Sequence, residues 1–69
     1  MANVRLIFNG SESSETENHS LECFCNANNN IYISIDIEDF PPSWICLDKS
    51  TAIKFAKTLR TQINLITEL

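Results

Sequence analysis

The chain has 69 residues, a formal net charge of −4, 43% hydrophobic residues and 20% charged residues. That length allows one domain, residues 1–69, whose core supplies only about 3–5 kcal/mol, and the composition excludes a disordered chain. The acidic balance argues against direct nucleic-acid binding, which needs a basic footprint.

Charge is unevenly placed. Residues 1–48 hold one basic residue against eight acids (−7), and residues 49–69 hold Lys49, Lys54, Lys57 and Arg60 against Glu68 (+3). The two parts can attract each other within one chain or between copies. The plainer expectation is solvated surface on both, because exposed ion pairs contribute little. No basic, apolar leader opens the sequence. No run approaches the ~20 apolar residues of a membrane helix. The expected location is the cytoplasm, with no membrane partner.

In chain order, residues 3–9 (NVRLIFN) alternate as a strand, with Val4, Leu6 and Phe8 on one face and Arg5, Ile7 and Asn9 on the other. Residues 10–19 are polar and acidic, and are expected as a flexible loop joining a hairpin. Residues 20–26 (SLECFCN) give a second strand, with Leu21, Cys23 and Cys25 opposite in direction to Glu22 and Phe24. The Asn-rich stretch after it suits a turn, since Asn tolerates left-handed backbone angles. Residues 30–38 (NIYISIDIE) alternate most clearly, Ile31, Ile33, Ile35 and Ile37 against Tyr32, Ser34, Asp36 and Glu38. Pro41 and Pro42 then break the ladder as a rigid connection. Residues 43–47 (SWICL) form a short fourth strand.

From residue 48 the period changes. Asp48 is an N-cap. Ala52, Ala56, Leu59, Ile63 and Ile66, flanked by Phe55, fall in one helical stripe, with Lys54, Lys57, Thr61, Asn64 and Glu68 opposite. The pattern predicts a helix of roughly five turns. The expected fold is α+β: a four-stranded antiparallel β-meander (β-β-β-β-α) with one face covered by the C-terminal helix. Small bacterial and phage domains often have this architecture, but fold alone assigns no function.

The cysteines bear on chemistry. Cys23 and Cys25 share a strand face with Leu21, and their C-x-C spacing separates the thiols by roughly 6.5–7 Å along an extended chain. Thiolates on one zinc at about 2.3 Å must lie closer, and structural sites favour C-x₂₋₄-C. A site from His19, Cys23, Cys25 and Cys46 would therefore need a distorted strand. An odd count in a cytosolic chain disfavours disulfides. The expectation is core-facing thiols with no metal and no cofactor.

Nor does a catalytic set emerge. His19 is the lone histidine, in a polar loop. Asp36, Glu38 and Asp39 could do acid–base work, but their alternation with isoleucines is that of a solvent-facing edge. One glycine cannot build a phosphate loop.

The face away from the helix would gather Ile7, Phe24 and Tyr32 with Trp44, or with Ile45 if the fourth strand is shifted by one residue. Large aromatic residues there suggest an interface. The expected function is a non-enzymatic protein-interaction module that acts by binding a protein partner, a homodimer that self-associates through these residues, with a different protein on the same face if the chain is a monomer. Two other classes remain open. One is a small-ligand-binding protein with its pocket at a subunit boundary. The other is an acidic inhibitor that mimics nucleic-acid phosphates with Glu12, Glu15, Glu17, Glu22, Asp36, Glu38 and Asp39.

Overall fold

A computed structural model of the chain describes residues 6–67. Val4, Arg5 and Glu68, which entered the strand and helix expectations, lie outside that range. Strands β1 (Leu6–Asn9), β2 (Ser20–Cys25), β3 (Ile31–Asp36) and β4 (Ser43–Leu47) form one sheet in the order β1-β2-β3-β4, every neighbouring pair antiparallel. Helix α1 (Lys49–Ile63) follows. This is the α+β meander expected from the alternation of apolar residues.

The β2–β3 turn is an asparagine device. The Asn26 amide donates to the Asn30 carbonyl at 2.9 Å, and the Asn26 side-chain oxygen accepts the Asn28 and Asn30 amides at 3.0 Å each. Asn29 takes the left-handed conformation at φ 61°, which a short polar side chain tolerates. The turn sets the register that follows, in which Leu6, Cys23, Ile33 and Ile45 make one cross-strand row.

β3 stops two residues earlier than its alternation suggests. β2 begins at Ser20 opposite Asp36, and β4 begins at Ser43 opposite Ile35. Ile37 and Glu38 thus have no strand beside them. The chain turns through Asp39 at φ 70°, closed by the Phe40 amide on the Ile37 carbonyl at 3.0 Å.

The acidic connection between β1 and β2 has local order. A 3₁₀ turn at Glu12–Ser14 is capped by Ser11, whose hydroxyl accepts the Ser14 amide while the Ser14 hydroxyl accepts the Ser11 amide. The Thr16 amide donates to Ser11 O at 3.1 Å, His19 N–H to Thr16 O at 2.9 Å, and Gly10 N–H to His19 O at 2.9 Å. The amides of Gly10, Ser11, Ser14, Glu15, Thr16 and His19 thus find acceptors inside the loop.

α1 begins where expected. Asp48 accepts the Thr51 amide at 2.8 Å. It ends earlier, at Ile63 rather than the terminus. Thr61, Ile63 and Asn64 are weaker helix formers than the residues before them, and the Leu65 and Ile66 amides tighten onto Gln62 and Ile63. Ile66 therefore falls beyond the stripe.

The helix meets the sheet chiefly at β4. It leans over the face that carries Cys23 and Cys25 without closing on it, and no described residue is buried. The radius of gyration is 13.9 Å, against about 11 Å for a compact domain of this length.

Two predictions follow from these turns and caps. A Cβ at Gly10 would run into the carbonyl and hydroxyl of Thr16. Gly10→Ala is therefore expected to destabilise by about 1–3 kcal/mol, measured by urea unfolding; an unchanged midpoint would show that the loop yields freely. The second concerns Asp48, whose carboxyl is held below its ordinary value by hydrogen bonds from the Thr51 side chain and backbone amide. A depressed folded value means that the unfolded chain binds the proton first as pH falls. The cap's contribution is then full above the ordinary 3.8 and is lost as pH drops through the folded value. The helical circular-dichroism signal of wild type should lose more over that acid window than that of Asp48→Asn, which keeps an acceptor but cannot titrate.

Candidate functional site

The register sorts the side chains into two unlike faces. One, the cysteine face, carries Leu6 and Phe8, then Leu21, Cys23 and Cys25, then Ile31, Ile33 and Ile35, then Ile45 and Leu47. The other, the aromatic face, carries Ile7, Phe24, Tyr32 and Trp44 among Ser20, Glu22, Ser34, Asp36 and Cys46. Trp44 pairs with Ser34, which places Trp44 rather than Ile45 on the aromatic face.

Three of the four expected interface residues form a continuous strip. The Phe24 and Tyr32 rings are 5.0 Å apart and tilted by 37°, and the Tyr32 and Trp44 rings are 5.7 Å apart and stacked at 18°. Phe24 faces Tyr32 directly across the ladder, and Trp44 lies on the diagonal, which is within reach of aromatic rings. Ile7 shares the face but not the strip. Its row runs Ile7, Glu22, Ser34, Trp44, so two polar residues separate it from the indole. Beside it, Ile7, Ser20, Glu22, Ser34 and Asp36 line a shallow depression of about 210 Å³.

The larger apolar surface is on the cysteine face, which the sequence assigned to the core. Leu6 is 56% exposed, Ile45 55% and Leu59 48%. Phe8, Leu21, Ile35, Ile53, Phe55 and Ile63 are exposed as well. Between α1 and the sheet runs an open groove of about 710 Å³, floored by Cys23, Cys25, Ile31, Ile33 and Leu47 and walled by Ala52, Ile53, Phe55, Ala56 and Leu59. Lys49 and Asn29 are the polar groups at its rim. This corrects the expectation of core cysteines: Cys23 and Cys25 point to the predicted face, but both are exposed. The helix is too narrow to seal that face. A signal was present in the sequence, since one α-helix is about 10–12 Å across and four strands spaced by about 4.8 Å span roughly 19 Å.

The remaining candidates do not converge. Cys46 lies on the opposite face from Cys23 and Cys25, and no group of three His, Cys, Asp or Glu among the described residues could hold a metal. His19 sits in the β1–β2 connection, where its backbone amide bonds Thr16. Glu22 and Asp36 share the aromatic face, whereas Glu12, Glu15, Glu17, Glu38 and Asp39 belong to the two connections at one end of the sheet. No described helix is long and apolar enough to cross a membrane.

The aromatic strip yields a measurable coupling. A double-mutant cycle with Tyr32→Ala and Trp44→Ala is expected to return a coupling of about 0.5–1.5 kcal/mol. Additive losses would show that the two rings merely lie near each other.

Comparison with protein-family models, with curated proteins and with solved structures finds no match for this chain, so its function has to be read from these two faces.

Proposed function

We propose that the protein is a non-enzymatic protein-interaction module that works as a homodimer. One observation carries this reading: residues 6–67 form four strands and a helix, yet none of them is buried. A folded monomer of 7.8 kDa exposes about 4,400 Å², and this chain exposes 6281 Å². Suppose the seven residues outside 6–67 are counted at full unfolded-chain area, about 1,200 Å². The rest still exposes about 1,000 Å² more than a folded monomer of its mass.

Two copies hiding that excess would bury about 2,000 Å² together, the size at which obligate interfaces begin. A closed two-fold pair is the commonest way to do so. The exposed surface of largest apolar extent is the cysteine face with the α1 stripe, so self-association belongs there. The aromatic strip on the outer face is then left for a protein partner, in keeping with the enrichment of Tyr, Trp and Phe at interfaces. Three unpaired cysteines suit a reducing compartment, and the cytoplasm is the proposed location.

Light scattering at micromolar concentration is expected to give a mass near twice the 7.8 kDa of the chain. The melting temperature should rise with protein concentration, because association stabilises the folded state by mass action. A concentration-independent monomer would overturn the reading.

A further inference from the structure

We infer that the groove between α1 and the cysteine face is occupied by the apolar stripe of α1 from a second copy. This rests on the dimer proposed above and specifies which surfaces meet. Two arguments select the occupant.

The first is width. A sheet of four strands at about 4.8 Å spacing is roughly 19 Å across, and two packed helices at 8–10 Å between axes span about the same distance. The chain supplies one helix, which reaches the sheet chiefly at β4. The part of the face away from β4, with Cys23 and Cys25 of β2 in the groove and β1 beyond them, has room for one more. A second copy brings a helix of the required length and pattern.

The second argument is chemistry. The groove is floored by Cys23, Cys25, Ile31 and Ile33, so its occupant has to be apolar. The stripe is apolar, and its Phe55, Leu59 and Ile63 are exposed.

The three native thiols report on this directly. Cys23 and Cys25 lie in the groove, and Cys46 lies on the other face. Wild-type protein at a concentration where it is dimeric would be treated with iodoacetamide and each thiol read by peptide mass spectrometry, with every rate normalised to that in urea. Cys46 is expected to label rapidly. Cys23 and Cys25 should label at least about tenfold more slowly, which corresponds to about 1.4 kcal/mol favouring the covered state.

A dimer that protects Cys46 and leaves Cys23 and Cys25 open would overturn the inference and leave self-association standing. A monomer would remove both, whichever thiols label. A cross-linking experiment then separates helix from sheet. One chain keeps Cys25 alone, through Cys23→Ser and Cys46→Ser. Its partner carries Ala56→Cys with all three native cysteines changed to serine. Neither chain can form a disulfide within itself. Oxidation of the mixture is expected to favour the disulfide between unlike chains. Predominance of the Cys25 pair between like chains would mean that sheet packs on sheet, and would overturn the assignment of the helix.

Discussion

One geometric mismatch governs this molecule: a single α-helix is about half as wide as the four-stranded sheet that it follows. The meander makes two faces, and only one element is available to cover either of them. α1 starts one residue after Asp48 at the end of β4 and remains close to that strand. Every row of the cysteine face that extends toward β1 is consequently left open. The absence of buried side chains among the described residues follows from that shortage of cover, and no weakness in the strands or the helix is needed to explain it.

Local structure, by contrast, is well specified. The Asn26 side chain closes the β2–β3 turn, Ser11 and Ser14 cap each other across a 3₁₀ turn, and Asp48 accepts the Thr51 amide in the first turn of the helix. Each device satisfies backbone groups within a few residues of itself and needs no tertiary partner. The chain thus holds its turns and helix start by short-range hydrogen bonds, while the apolar surface of its sheet stays uncovered. That division is the one the proposed dimer requires of its subunit.

The faces also differ in kind. The cysteine face is aliphatic and continuous with the helix stripe, which suits a dry, area-driven contact. The aromatic face mixes a stacked Phe24–Tyr32–Trp44 strip with Glu22, Ser34 and Asp36, closer to the composition of a non-obligate contact. The sequence reading weighted the interface toward the aromatic residues because they are large. The structure gathers Phe24, Tyr32 and Trp44 into one strip, yet it exposes more apolar surface on the opposite face.

By itself the sequence determined the four strands, the helix, their order and, in β1, β2 and β3, the side on which each alternating residue lies. These depend on period and on turn chemistry, both of which are local. Its isoleucine run and Asn cluster placed β3 and the turn before it, and the shift to helical spacing at Asp48 placed α1. Only the tertiary structure decided the β4 register that put Trp44 on the aromatic face, the early ends of β3 and α1, and the openness of the groove above Cys23 and Cys25. Each of these depends on where a non-neighbouring element stops: β3 on the first residues of β2 and β4, and the exposure of the thiols on how far one helix reaches across a sheet. Periodicity states which side a residue faces, and it carries no information about whether anything is wide enough to cover it.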